Sequence, residues 1–294
     1  MTNTIKNFGI DEATMLLEFN ASVWTARKLD KSATDEVVTT KGAKSKDAAR
    51  VNKSLMAGRT ELTEIQAVVG EARTFVYENT APWSDVGQRW ITTNRLLKVD
   101  KRMQDFSVVF WEKVDAFCNI YPTLITAQAM ALGDMFNRND YPPVAEIRRK
   151  FAFNYDFLPV PTADFRVRIP NDAAEDLRAR LETANTRRME AALGDIRAKM
   201  KAHLERMADR LITVTNKKGE PSQQRFHDTL VTSAYDLCDL IGDFNVTGDP
   251  DMASMKQRLE TVLAGASAED LRVNGDKREE VRKEVDAMLS AFNW

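Results

Sequence analysis

The chain has 294 residues, 43% hydrophobic and 29% charged, with a formal net charge of −2 at pH 7. This composition is ordinary for a globular protein, and it gives no overall positive charge that would attract nucleic acid or an acidic membrane surface. No apolar run approaches the roughly 18 residues of a membrane-spanning helix. The N-terminal MTNTIKNFGIDEA lacks the apolar core of a signal peptide. We therefore expect a cytoplasmic protein that does not bind membranes.

The N-terminal part of the chain is predicted to contain two helices joined by a basic connector. Residues 10–29 carry apolar side chains at mixed helical spacing, which predicts the first helix. Residues 41–59 hold six basic side chains against one acid and predict a loop followed by a short helix. From Glu61, apolar residues recur at steps of three and four, which predicts an amphipathic helix.

The middle of the chain predicts further helices and then a change to β-structure. An apolar stripe over residues 99–117 predicts one helix, and Pro122 is predicted to begin another, which ends before Pro142. Phe151, Phe153, Tyr155 and Phe157 then fall on alternate positions, the pattern of a strand. After a proline-rich turn, residues 164–169 resume the alternation, so we expect a two-stranded ribbon over about 150–169.

The C-terminal part is predicted to be a long helical hairpin with trailing helices. A helix of about 40 residues begins after Pro170, and its near-heptad apolar spacing indicates a coiled coil roughly 60 Å long. The short connection NKKGEP predicts an antiparallel partner over 222–243. Further helices are expected at 251–264 and 276–292. The predicted fold class is thus mainly α: a helical bundle, a small β-ribbon and a long antiparallel helical hairpin. Three segments are expected, at 1–60, 61–170 and 171–294.

No motif of defined catalytic chemistry is present, and we expect neither a cofactor nor a metal. The glycine-rich loops that cradle phosphate are missing from the sequence. His203 and His227 lie on different predicted helices and could meet across the hairpin, but a single helical histidine is most often solvated or hydrogen-bonded. Cys118 and Cys238 are too far apart in sequence to indicate a disulfide framework, and Cys238 lies among core-type residues as an inert thiol.

Two binding modes remain open from the residues alone. The long hairpin carries an apolar stripe larger than one neighbouring helix needs to cover, which favours a protein partner or self-association. The predicted interaction face comprises Leu193, Ile196, Met200, Leu204, Met207 and Leu211. The alternative is a single-stranded nucleic-acid-binding surface. Its predicted residues are Lys41, Lys44, Lys46, Arg50, Lys53, Arg166 and Arg168.

The aromatic and acidic side chains near the ribbon bear on the choice between these binding modes. The ribbon aromatics would stack on bases if exposed, but packing into the core is favoured because aromatics on a ribbon beside helices usually face inward. Asp140 and Asp156 offer a second alternative, a metal-dependent nuclease, because carboxylates bind Mg²⁺. Helix-capping or solvated roles are favoured for both acids.

Three phrases carry a resemblance to a known family. TAPWSDVGQR (80–89), LGDMFNRNDYP (132–142) and FLPVPTADFRV (157–167), followed by a long charged helix, resemble a family of phage and proteobacterial proteins described only as a domain of unknown function. The similarity covers about residues 30–215. Members tend to be encoded near MoxR- or CobS-like AAA ATPases, which implies a phage-encoded protein of the host cytoplasm that works beside such an ATPase. The family supplies no site residues. We therefore expect a non-enzymatic interaction or adaptor protein.

Overall fold

The computed structural model describes residues 13–45, 47–84, 87–161, 171–215, 221–223, 227–246, 248–264 and 266–292. The protein is mainly α-helical with small antiparallel sheets, which confirms the predicted fold class at that level. The helices are α1 (Lys31–Thr40), α2 (Glu61–Asn79), α3 (Thr93–Leu132), α4 (Val144–Arg148), α5 (Asn171–Leu211), α6 (Thr229–Phe244), α7 (Pro250–Leu263), α8 (Ala268–Val273) and α9 (Gly275–Ala291). In the described part of the chain, no helix is both long and apolar enough to cross a membrane.

The strands form one four-stranded sheet and two smaller ones. They are β1 (Thr14–Ser22), β2 (Arg27–Leu29), β3 (Asn52–Ser54), β4 (Ala81–Pro82), β5 (Arg89–Thr92), β6 (Ala152–Pro159), β7 (Thr213–Thr215) and β8 (Pro221–Gln223). The larger sheet has the order β4–β5–β1–β6, and β1 pairs antiparallel with β5 in a register that sets Thr14 opposite Thr92. The other sheets are the antiparallel pairs β2–β3 and β7–β8.

The chain forms two compact units that alternate along the sequence. Unit 1 comprises residues 1–18, 79–97 and 157–294, and unit 2 comprises residues 19–78 and 98–156. The three segments predicted from the sequence do not follow this division. β1, α3 and β6 each have residues in both units, so chain order alone gives no boundary between them.

The predicted helix over residues 10–29 is wrong, because β1 and β2 occupy this range. The apolar side chains there, Leu16 and Leu17 among them, suit either a helix or a strand over so short a stretch. The hydrogen-bonding partner β5 lies more than seventy residues further along the chain. Pairing with a distant strand therefore decided the local structure.

The structure describes one of the two strands predicted for the ribbon. β6 is a strand, as the alternating aromatics predict, but it belongs to the four-stranded sheet, next to β1. The second predicted strand, at 164–169, lies outside the described residues.

Helix α3 runs through Pro122 without a break, so the prediction of two helices separated there is wrong. A proline inside a helix removes one backbone hydrogen bond and costs about 3 kcal/mol. The flanking side chains Phe117, Tyr121, Leu124 and Ile125 are all buried in unit 2. Burial of these side chains offsets the cost of the proline and keeps the helix continuous.

The core of unit 1 is built around α5. Helix α5 packs against α6 and α9, and α6 packs against α7. The ring of Trp90 on β5 meets that of Phe244 on α6 edge-on, with centroids 5.2 Å apart. The strands β7 and β8 follow α5, and α6 begins at Thr229. The predicted partner helix therefore starts seven residues later than the sequence indicated.

Arg278 on α9 is buried and closes the C-terminal end of α5. Its guanidinium donates hydrogen bonds to the carbonyl oxygens of Arg210 and Leu211, and to that of Leu271 on α8. The last carbonyls of a helix have no partner within the helix. Arg278 supplies that partner and fixes the end of α5 to α8 and α9.

Candidate functional site

The structure describes four of the seven basic residues predicted to contact nucleic acid, and not all four are exposed. Those exposed in unit 2 are Lys41, Lys44 and Arg50. Those that lie outside the described residues are Lys46, Arg166 and Arg168. The prediction is wrong for Lys53, which is only 9% exposed and is paired with acids of its own unit. A buried, paired ammonium cannot reach a phosphate.

Lys53 lies at the centre of a charge cluster in unit 2, in which Lys53, Asp30 and Asp140 are buried and Lys28 is partly exposed. The Nζ of Lys53 lies 2.8 Å from Asp140 Oδ2 and 3.4 Å from Asp30 Oδ2, and it donates a hydrogen bond of 2.7 Å to the carbonyl oxygen of Met135. The second oxygen of Asp140 lies 2.7 Å from Nζ of Lys28. Two lysines thus face two carboxylates, which ties β3 to the start of α1 and to the turn after α3.

The electrostatics of this cluster favour its charged form. The hydrogen bond to Asp140 raises the pKa of Lys53. Burial opposes ionisation of Asp140, but hydrogen bonds from Lys28 and Lys53 outweigh it and lower the pKa of that carboxyl. The backbone N–H of Ala33 at the start of α1 donates to Asp30 and lowers its pKa. Lys53, Asp140 and Asp30 are therefore ionised at neutral pH.

The cluster accounts for one of the two acids considered for a nuclease. Both oxygens of Asp140 are bound by lysine ammonium groups, so they are not offered to a metal ion. Asp156 lies exposed on β6. In the ranges that the structure describes, no three or more His, Cys, Asp or Glu side chains cluster closely enough to hold a metal ion.

Phe151, directly before β6, and Phe153 on β6 pack into the core of unit 2, as the sequence favoured. Phe151 and Phe153 are buried, and their rings lie within 6.5 Å of Phe110 on α3, centroid to centroid. The hydroxyl of Tyr155 donates a hydrogen bond to Asp100. The rings of Phe151 and Phe153 are therefore not available to stack on nucleobases, whereas Tyr155 is half-buried.

The predicted interaction face on α5 is also part of a core. Its six residues are Leu193, Ile196, Met200, Leu204, Met207 and Leu211, of which Leu193 is the most exposed, at 7%. They belong to the apolar core that α5 shares with α6, α7 and α9. The prediction that they form a surface for another protein is therefore wrong. The stripe is broad because several helices of the same unit cover it.

Both cysteine thiols are buried. Burial raises the pKa of Cys118. Burial together with the nearby carboxylates of Glu260 and Asp239 raises the pKa of Cys238 to about 12. A thiol is nucleophilic only as the thiolate, so Cys238 lies in the inert environment that the sequence predicted.

A cleft of about 500 Å³ in unit 1 lies between the C-terminal part of α5 and the start of α6. The polar residues that line it, among those the structure describes, are His203, Arg206, Arg210, His227, Thr229 and Ser233. The three residues of α5 are spaced by three and four, which places them on one side of the helix. Both histidines of the chain line this cleft. The sequence did not predict a role for Arg206 and Arg210, because the prediction of sites on α5 relied on apolar residues and this face of the helix is polar.

His203 forms the floor of the cleft. Its Nε2 lies 3.2 Å from the carbonyl oxygen of Leu230, and because a carbonyl only accepts, Nε2 is the donor. Burial and the positive charge of Arg206 lower the pKa of His203. The imidazole is therefore neutral at pH 7, and its hydrogen bond joins α5 to α6.

A second feature that the sequence analysis missed is the solvent-facing side of α3 in unit 2. From Ala116 to Gly133 the helix carries no charged residue, although one side of it is exposed. Met130 is 92% exposed and Ile120 41%. Residues 116, 120, 123, 127 and 130 are spaced alternately by four and three, the repeat of a coiled-coil seam. We call these five residues the α3 seam: Ala116, Ile120, Thr123, Ala127 and Met130.

No protein-family model, no curated protein and no solved structure matches this chain.

Proposed function

We propose that this is a non-enzymatic interaction protein that self-assembles through the α3 seam. The observation that carries the proposal is the exposed, uncharged second half of α3. A helix side that faces water normally carries charged residues, and interfaces are depleted of charge and enriched in methionine at their centres. The heptad spacing of the seam matches another helix rather than a small ligand.

A second copy of the chain is the occupant that the seam fits. If two α3 helices pair antiparallel about a two-fold axis at Thr123, Ala116 of one copy lies opposite Met130 of the other. Ile120 then lies near Ala127 in the same way, so each large side chain faces a small one. In this arrangement residues 116–130 of the two copies, all of them uncharged, lie opposite each other. The two-fold axis closes the assembly as a dimer.

We expect Ile120→Lys and Met130→Lys, each alone, to convert a dimer into a monomer, because each buries a lysine charge at the interface. Light scattering with size-exclusion chromatography measures the mass. Leu97→Lys is the matched control, since Leu97 is 79% exposed on the same helix but outside the seam. A strictly monomeric wild-type protein at high concentration would contradict the proposal.

Cross-linking distinguishes the antiparallel arrangement from a parallel one. Thr123→Cys is expected to form a disulfide between copies on oxidation, because the axis brings the two positions together. Met130→Cys is not expected to form a disulfide between copies, because position 130 of one copy faces position 116 of the other. Both variants would cross-link in a parallel pair. The native cysteines do not interfere, since both are buried.

The resemblance to the phage and proteobacterial family adds a role for the assembly. We infer a phage-encoded adaptor that acts in the host cytoplasm beside a MoxR- or CobS-like AAA ATPase. Affinity capture from infected cells, with the bound proteins identified by mass spectrometry, is expected to recover such an ATPase with the wild-type protein. Recovery of no ATPase would remove this part of the proposal and leave self-assembly untouched.

The basic connector favours a second candidate function, binding of single-stranded nucleic acid. Residues 27–59 contain nine Lys and Arg against four Asp and Glu, whereas the whole chain carries a net charge of −2. Lys41, Lys44 and Arg50 are exposed there. Such a local excess attracts phosphates and makes binding weaker as salt rises.

Under this second candidate, the wild-type protein shifts single-stranded DNA in a gel at about 50 mM salt, and the shift fades as salt rises. Reversing the charge of Lys41, Lys44 and Arg50 to Glu is expected to abolish it. The control reverses an equal number of exposed basic residues elsewhere, namely Lys101, Arg149 and Lys201. Equal loss in both triple variants, or no shift by the wild type, would rule out a specific basic surface.

A further inference from the structure

The cleft between α5 and α6 in unit 1 has the chemistry of an anion site. Arg206 and Arg210 lie one turn apart on α5, where two like charges repel each other. Neither guanidinium forms an ion pair with any acid among the described residues, and neither does His227. Asp228, at the start of α6, pairs instead with Arg272. None of the described residues that line the cleft is a carboxylate.

The groups that line the cleft converge from two elements held in place. The hydrogen bond of His203 to the carbonyl oxygen of Leu230 fixes α5 to α6 at the floor of the cleft. Arg278 anchors the end of α5 through the carbonyl oxygens of Arg210 and Leu211. The backbone that bears both arginines is therefore set before any ligand arrives, which reduces the entropy lost on binding.

Phosphate is the anion that this donor set suits. A guanidinium presents paired N–H donors that match the spacing of two phosphate oxygens. Thr229 and Ser233, on the first turns of α6, add hydroxyl donors on the opposite wall. The volume of about 500 Å³ exceeds what a bare phosphate ion fills and lies in the range of small-molecule sites.

We propose that the cleft binds the phosphate group of a small phosphorylated molecule, with Arg206 and Arg210 as its main ligands and Thr229 and Ser233 as hydrogen-bond donors. This site is separate from the α3 seam, which belongs to unit 2, and it does not depend on self-assembly. An interaction protein with such a site would be responsive to a phosphorylated metabolite.

Nuclear magnetic resonance of the imidazole rings tests the site directly, because the chain has two histidines and both line the cleft. The probes are inorganic phosphate and adenosine 5′-monophosphate, titrated at constant pH and constant ionic strength set with chloride. We expect the His227 ring signals to shift and saturate with at least one probe. The Arg206→Gln/Arg210→Gln protein should bind that probe at least tenfold more weakly, since it loses two charge-assisted contacts.

Lys201→Gln is the matched control, because Lys201 is exposed on the same helix but does not line the cleft. It is expected to bind the probe like the wild type. Circular dichroism checks that the double variant is folded, as expected from the exposure of both arginines. Shifts that fail to saturate with either probe would overturn the proposal. Saturation that persists unchanged in the folded double variant would overturn it as well.

Discussion

Replacing Leu204 by alanine is expected to lower the free energy of unfolding by about 3 kcal/mol, without changing self-association. Leu204 is fully buried in the core of unit 1, within the stripe that the sequence assigned to a protein interface. Truncating a buried leucine removes apolar contacts and leaves a cavity. If the stripe were an exposed interface instead, the same change would weaken the dimer and leave the stability of the isolated chain almost intact.

Chemical denaturation followed by circular dichroism measures the free energy of unfolding, and light scattering measures self-association. Lys201→Ala, on the exposed side of the same helix, is the control, and we expect it to change stability by less than about 0.5 kcal/mol. A Leu204→Ala protein of wild-type stability would show that the α5 stripe does not form the core described above.

Replacing Lys53 by methionine is expected to lower the free energy of unfolding by about 2 kcal/mol, because Asp140 and Asp30 lose a shared partner. The carboxylate of Asp140 would be left with Lys28 alone, and the carbonyl oxygen of Met135 would lose its donor. Each of Lys53 and Asp140 keeps 9% of its surface exposed. We therefore expect a smaller loss than for a fully enclosed ion pair.

Two further variants distinguish the effect of breaking the Lys53–Asp140 ion pair from the effect of removing a lysine side chain. Lys44→Met removes a lysine that is exposed and is expected to leave stability unchanged. The double variant Lys53→Met/Asp140→Asn is expected to be more stable than the sum of the two single changes predicts, since the second change removes the unpaired charge. Strict additivity would mean that the two groups do not interact in solution.

The sequence predicted correctly those helices and strands whose residue pattern repeats every few positions. The three-and-four spacing from Leu62 to Val76 predicted α2, and the polar start and long apolar repeat after Pro170 predicted α5. The alternation from Phe151 predicted that β6 is a strand and that the rings of Phe151 and Phe153 are buried. In each case the spacing of apolar residues along the sequence matches the spacing at which side chains recur on one face of a helix or strand.

Contacts between distant residues decided the rest. β1 is a strand because β5 pairs with it, and α3 continues through Pro122 because the side chains around the proline are buried. The candidate sites also depend on contacts between distant residues. The sequence predicts Lys53 as part of a basic surface, but Asp140, nearly ninety residues further along the chain, forms a buried ion pair with it.

Sequence by itself thus determined the helical class, the long α5 and the aromatic strand β6, because hydrophobic spacing and composition act through neighbouring residues. Tertiary structure alone determined which apolar stripes are covered. The strongly apolar face of α5 is enclosed by α6, α7 and α9, whereas the weaker seam of α3, with its alanines and threonine, remains exposed. Helix packing has this effect because the most apolar surfaces gain most from burial within the chain.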